Sequence, residues 1–295
     1  EALAEVLGKA FEPYALSTMP LLLACCSDSA REVQLAGRRA AGRVVSQVSG
    51  GGMRLLVNPV LDGLKSKTWR TQLSAIELLK PIVSELVANA PKRLAAVMPK
   101  AVPALCEAAA GARSEIRDAA RQVLELIGEA IGHRDVRPQV PALIAALCDP
   151  SEGLVTRALD GLLGAVYTTP LDGSCCALVC PVVARALARG DGELRKKGLN
   201  FVRTLAQFAE GGSDELGPYI ESFQAQLSVL IADPTPAVRD AAATAVGVLA
   251  SLQGEGGEDG EAGWSGSLLA RLRGAAVEGA ELEGAAQGLA EAMTA

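Results

Sequence analysis

The sequence predicts an all-α fold of stacked helix pairs, and three observations carry that prediction. The first is a proline that recurs at near-constant spacing. Pro20, Pro59, Pro103, Pro141 and Pro181 each open a short apolar run, and AQLSVLIAD from Ala225 repeats the run without the proline. Successive starts lie 39, 44, 38, 40 and 44 residues apart, the period of two-helix HEAT and armadillo repeats. The second is composition. The 295 residues are 49% hydrophobic but only 3% aromatic, a core of Ala, Leu and Val that suits close helix-to-helix packing. The third is helical periodicity. Apolar residues recur at helical spacing, as in Val123, Leu124, Ile127 and Ile131. The expected architecture is a right-handed α-solenoid of about six to seven helix pairs, in which each pair packs on its neighbours.

Taken in order, residues 1–10 (EALAEVLGKA) are amphipathic and read as the end of a preceding repeat, not as a signal peptide. Six full repeats follow, over residues 11–50, 51–93, 94–134, 135–173, 174–212 and 213–253. In each, the apolar run is the second half of an A helix. Its proline lacks a donor and crowds the preceding turn, so the A helix is expected to kink or to start late. A polar turn comes next (SDSARE, KSKT, GARSE, DPSEG, RGDGE, DPTPA), rich in N-cap and turn residues. The B helix then opens on an apolar residue usually followed by Arg, as in Ile116-Arg117, Leu194-Arg195 and Val238-Arg239. The turns should line one edge of the array. Residues 254–263 (GEGGEDGEAG) are too Gly- and acid-rich to bury a core and read as a flexible insert. A degenerate seventh repeat is expected over 264–295.

Most enzyme classes find no footing here. There is one histidine, no GxSxG elbow and no GxxxxGK[ST] phosphate loop; Gly50-Gly51-Gly52 runs on into Met53-Arg54. The seven cysteines include no CxxC pair and mostly fall within apolar runs, so they read as buried thiols in a reducing compartment. His133, flanked by Arg134 and Asp135, is expected to be solvated. No apolar stretch approaches the roughly 20 residues of a membrane span. We expect no cofactor, metal or small-molecule substrate.

Charge is more informative. The net charge is −6, but residues 1–140 hold 18 Lys/Arg against 14 Asp/Glu, and residues 141–295 hold 10 against 20. Arg38, Arg39 and Arg43 cluster on one B helix. Arg54, Lys65, Lys67 and Arg70 bracket the second A helix, and Lys92 and Arg93 follow. Arg195, Lys196 and Lys197 form a basic knot in the acidic half. Each cluster reads either as solvated helix surface or as part of a basic stripe that neutralises phosphates or acidic proteins. Trp69 is the only aromatic residue among these cations, so contact with RNA would be to backbone, without base stacking or sequence readout. Trp69 itself has two readings. It takes the B-helix position held by Val, Ile or Leu elsewhere, where its ring would cap the inter-helix groove, or it is an exposed loop anchor.

These segments also carry a resemblance. FEPYALSTMPLLLACCSDSAREV, GGGMRLLVNPVLDGLKSKTWRTQLSAIELLKPIV, PALIAALCDP and GAAQGLAEAM together resemble the central HEAT array of the general-control translational activators. That array is itself similar to the N-terminal HEAT domain of fungal elongation factor 3. The resemblance runs from Phe11 to Val248, with a further piece at Gly284–Glu291. It implies a cytoplasmic, non-enzymatic scaffold that binds ribosomes, through ribosomal RNA backbone or ribosomal proteins, and works with adaptor proteins to activate the amino-acid-starvation kinase on stalled ribosomes. The family's kinase-binding region and the elongation factor's ATPase cassettes have no counterpart in this chain. Two rivals remain: a tubulin-binding array, resting on Trp69-Arg70 and the basic turns, and a plain adaptor or spacer solenoid.

Overall fold

The computed structural model describes residues 2–149, 151–209 and 213–254; the expected Gly/acid-rich insert, beyond Gly254, and the degenerate seventh repeat lie outside them. Helices dominate. After α1 (Ala2–Leu7) and a 3-10 turn, the A and B helices alternate as α2 (Glu12–Cys25) and α3 (Arg31–Gln47), then α4 (Gly50–Leu64) and α5 (Trp69–Asn89), then α6 (Pro91–Ala109) and α7 (Ser114–Glu129). A 3-10 turn (Arg137–Gln139) leads into α8 (Val140–Cys148), paired with α9 (Glu152–Leu163). The last pairs are α10 (Gly173–Arg189) with α11 (Gly192–Phe208), and α12 (Ser213–Leu230) with α13 (Pro236–Gly254). This is the all-α, HEAT/armadillo-type solenoid fold. The contacts divide the described residues into two units, the first running to Gly132 with Leu147–Asp149, and the second made of His133–Ala146 with the described residues from 151 onward. Among the described residues no helix is long and apolar enough to cross a membrane.

The recurring prolines sit inside helices. α2, α4, α6 and α10 run through Pro20, Pro59, Pro103 and Pro181. Pro20 and Pro103 are exposed and the other two half-buried; each ring removes the donor to the carbonyl four residues earlier. Only the fourth A helix starts late, with Pro141 at its second residue.

The sequence signature of the B helix has a local cause. The fourth residue of most B helices is long and polar and reaches back to its own turn. Gln34 Nε2 donates to the Asp28 carbonyl (2.6 Å), Gln72 Nε2 to Ser66 (2.9 Å), and Arg239 Nη1 to Asp233 and Pro234 (3.0 and 3.2 Å). Arg117 does the same to Gly111 and Ala112, at 3.4 and 3.3 Å. A turn of four or five residues leaves carbonyls without helical partners, and these side chains supply the donors.

The first unit has a core of Leu and Ile with Met19 and Met98, all nearly inaccessible. At its α4 N-terminus, Ser49 is the cap, accepting from Gly52 N, while Glu12 of α2 accepts from both Ser49 N (3.1 Å) and Ser49 Oγ (2.9 Å). A Cβ on Gly52 would overlap the Glu12 carboxylate and Val48. The glycine run therefore admits the protein's own carboxylate to the helix N-terminus.

The second unit is built around α10, whose first eight residues are all buried. Burial pushes the thiols of Cys175 and Cys180 well up, with the Asp172 charge adding to the rise at Cys175. They are core-filling thiols. His133 contradicts the expectation of a solvated ring: it is buried, 9% exposed. Its Nδ1 accepts from Asp135 N (3.2 Å), so Nε2 carries the hydrogen; it lies 3.1 Å from the Thr169 carbonyl and 2.9 Å from Thr169 Oγ1. The ring thus holds the 164–172 connector, which its charged neighbours concealed. Tyr167 in that connector packs against His133, Phe201 and Phe208, and Leu171 N donates to Phe208 O at 2.6 Å.

Candidate interaction surface

The structure places the basic residues in several separate locations. Those on α3 face the B-helix surface. Arg38 reaches Glu77 of α5 at 3.2 Å, and Arg43 reaches Glu5 of α1 at 2.8 Å. Arg39 is exposed and has no carboxylate within ion-pair reach among the described residues. Lys92 and Arg93 open α6 and are exposed. The side chain of Arg54 lies outside the described residues. In the second unit, Arg195 Nη1 meets Asp233 Oδ2 at 2.8 Å, Lys197 meets Asp160 at 2.6 Å, and Lys196 is half-buried. Arg38, Arg43, Arg195 and Lys197 thus link one repeat to the next.

Lys65, Lys67, Trp69 and Arg70 sit at the other end of α4 from Lys92 and Arg93, because Arg93 approaches Gly51 at the α4 N-terminus. The 15 residues of α4 set the two ends about 22 Å apart at 1.5 Å per residue. At the turn end, Lys65 and Lys67 of the second turn and Arg113, the residue before α7, converge on Trp69. The Arg70 and Arg113 guanidiniums lie over the indole, 5.2 and 4.7 Å from its centroid. Both attractions draw on the negative face of the ring. The four cations have no carboxylate partner within ion-pair distance among the described residues. Lys65, Lys67 and Arg113 border a groove of about 590 Å³ whose lining includes Ala104, Ala108 and, as its only acid, Glu107. Sequence reasoning missed Arg113 as a site residue. Its signal was its place in the turn that follows Lys65–Thr68 one repeat later.

The register of α5 decides between the two readings of Trp69. In α3, α7, α11 and α13 the apolar mark is the third helical residue: Val33, Ile116, Leu194 and Val238. The third residue of α5 is Thr71, which is buried, whereas Trp69 is the first and only half-buried. Two residues are about 200° of helical rotation, so the ring leaves the core side. Trp69 therefore stands half-buried at the groove, and the cause is the cap. Thr68 takes extended backbone and caps α5 one residue before Trp69, whereas in α3, α7 and α11 the cap stands three residues before the apolar mark. Trp69→Ala is expected to cost about 1–2 kcal/mol, the loss of two partly exposed cation–π contacts, against about 3–5 kcal/mol for a core ring. Urea unfolding of the two proteins reads the difference.

No group of His, Cys, Asp or Glu among the described residues is arranged to hold a metal. What the turn ridge offers is a fixed array of cations beside an aromatic edge and small alkyl side chains. That is recognition chemistry.

Comparison with known proteins gives the surface its context. Residues 1–124 match the family model for the EF3 N-terminal HEAT repeat, and residues 154–260 match that for the elongation factor 3/GNC1 HEAT repeat. The chain is 33% identical to Protein ILITYHIA of Arabidopsis thaliana over 301 residues, covering 100% of this chain and 11% of that protein. It is 31% identical to the human stalled ribosome sensor GCN1, covering 99% and 11%. Against elongation factor 3 of Gonapodya prolifera the identity is 26%, over 69% of this chain and 18% of that protein. The chain spans about a tenth of the length of its GCN1-type relatives.

Proposed function

The chain belongs to the family of HEAT arrays shared by the GCN1 activators and elongation factor 3, and from that premise we propose that it is a non-enzymatic segment of a cytoplasmic scaffold that associates with ribosomes. In this reading it helps a longer protein activate the starvation kinase when ribosomes stall, alongside adaptor proteins of that pathway. Relatives named as a stalled ribosome sensor and as eIF-2-alpha kinase activators support it. The observation that carries the segment's own contribution is a group of exposed cations with no carboxylate in ion-pair reach among the described residues: Arg39, Lys65, Lys67, Arg70, Lys92, Arg93 and Arg113. A chain of net charge −6 that leaves these cations unpaired among the described residues presents local positive patches to anionic partners.

Co-sedimentation with purified ribosomes across a salt series tests this, with polymerised tubulin run in parallel. We expect ribosome pelleting that fades as salt rises. Charge reversal of Arg39, Lys92 and Arg93 together, with Lys65 and Lys67, should weaken it at least tenfold. Each lost phosphate contact should flatten the log–log salt slope by about one. Arg38→Glu is the wrong probe, since it strands Glu77. Pelleting with tubulin alone, or with neither, would overturn the proposal.

A further inference from the structure

The Trp69 groove differs in chemistry from the rest of the basic face. Three features coincide in it. The first is cationic walls, with Lys65 and Lys67 on one turn and Arg113 on the next. The second is an alkyl floor from Ala104 and Ala108 of α6, both half-buried. The third is Trp69, whose ring lines the groove and whose indole N–H has no acceptor among the described residues. The volume of about 590 Å³ falls in the range of ligand clefts and holds a few residues of extended chain.

A nucleic-acid backbone fits this groove poorly. Base stacking needs an open aromatic face, and the Trp69 ring is already engaged by Arg70 and Arg113. Glu107 in the lining opposes the unbroken charge of a phosphate backbone, whereas a peptide can set an uncharged residue opposite it. A phosphodiester also has nothing to bury against alanine methyls. A peptide answers each feature: carboxylates for the lysines and Arg113, a backbone carbonyl for the indole N–H, and an aliphatic or aromatic side chain for the floor. The other polar turns do not offer this. Asp28 and Asp233 occupy the first and sixth, where each carboxylate accepts a backbone N–H of its own turn, from Ala30 and Thr235.

We propose that the groove between the second and third A–B turns, built on Trp69, Lys65, Lys67 and Arg113, is a docking site for an extended acidic peptide carrying apolar anchors, supplied by a partner protein. This rests on reading the chain as an interaction scaffold, and does not require that the peptide come from the ribosome. The two anchored guanidiniums are held in place before binding, which reduces the ordering cost of capture.

The test is fluorescence anisotropy on the purified chain with a labelled twelve-residue peptide of alternating Asp/Glu and Leu/Phe. Polyglutamate of equal charge and a single-stranded RNA oligonucleotide serve as comparisons. We expect the mixed peptide to bind at least tenfold tighter than polyglutamate. Lys67→Glu with Arg113→Glu should weaken it at least tenfold, and Trp69→Ala should do so at unchanged salt slope. Charge reversal of Arg39, Lys92 and Arg93 should leave it within twofold. Quenching of Trp69 emission in a Trp264→Phe background gives a second readout that does not depend on the variants folding. Equal binding of polyglutamate, indifference to Trp69→Ala, or RNA competing more tightly at the same residues would each overturn the inference. Ribosomes are absent from the assay, so a chain that pellets with ribosomes yet ignores the peptide fails this inference alone.

Discussion

Phe201→Ala is expected to lower the free energy of unfolding by about 3–5 kcal/mol, the usual cost of deleting a fully buried ring. Phe201 is wholly inaccessible and is among the largest buried side chains of the molecule. In a chain with only 3% aromatic residues, few side chains are large enough to fill the space. The loss has a second part. Tyr167 packs edge-on against Phe201 with centroids 6.0 Å apart, and Tyr167 is the aromatic anchor of the connector that His133 and Leu171 pin down. Removing the ring should release that connector before the unit melts. Urea unfolding reads the first effect. Hydrogen exchange at the Leu171 amide, bonded to Phe208 O, reads the second, and protection there should fall by more than at amides within α11. A variant destabilised without faster exchange at Leu171 would show that the connector does not depend on the ring.

The second large effect concerns charge. Arg195→Met is expected to cost about 2–3 kcal/mol. The side chain of Asp233 is only 4% exposed, and Arg195 is its ion-pair partner. Removing the cation leaves a buried carboxylate uncompensated, which costs about 3–5 kcal/mol for a fully enclosed pair. The guanidinium side is 31% exposed, so water recovers part of it. Asp233 also accepts from Thr235 N, at 2.9 Å, and Asn at that position keeps this acceptor without the charge. Arg195→Met with Asp233→Asn should therefore be more stable than Arg195→Met alone, with a coupling of about 1–2 kcal/mol. Additive single effects would mean that the pair is solvated after all. The same measurement separates the two roles open to the basic knot: Arg195 and Lys197 bind neighbouring repeats, and charge reversal there would disturb ribosome pelleting through stability.

The helix pairs were legible from the sequence because a repeat must bury the same kind of face at every period. Proline-led apolar runs, polar turns and B-helix marks recur near every 40 residues, and each corresponds to a helix or a turn among the described residues. Even the arginine after the B-helix mark had a local cause, since Arg117 and Arg239 reach carbonyls only five or six residues away. Local bonds and periodic burial leave a trace in sequence order.

Repetition along the chain therefore specified the fold class and the identity of its repeating parts. The tertiary structure alone decided how those parts meet. It showed that Arg38, Arg195 and Lys197 find carboxylates 37–39 residues away; that His133 is enclosed; and that Lys65, Lys67 and Arg113 gather at one tryptophan. The reason is physical. A helical period fixes which residues share a face to within one residue, but one residue is about 100° of rotation. At Trp69 the offset is two residues, about 200°, and the ring forms the wall of a groove. Which charges remain free depends on the offset between stacked helices, and no pattern along the chain records that offset.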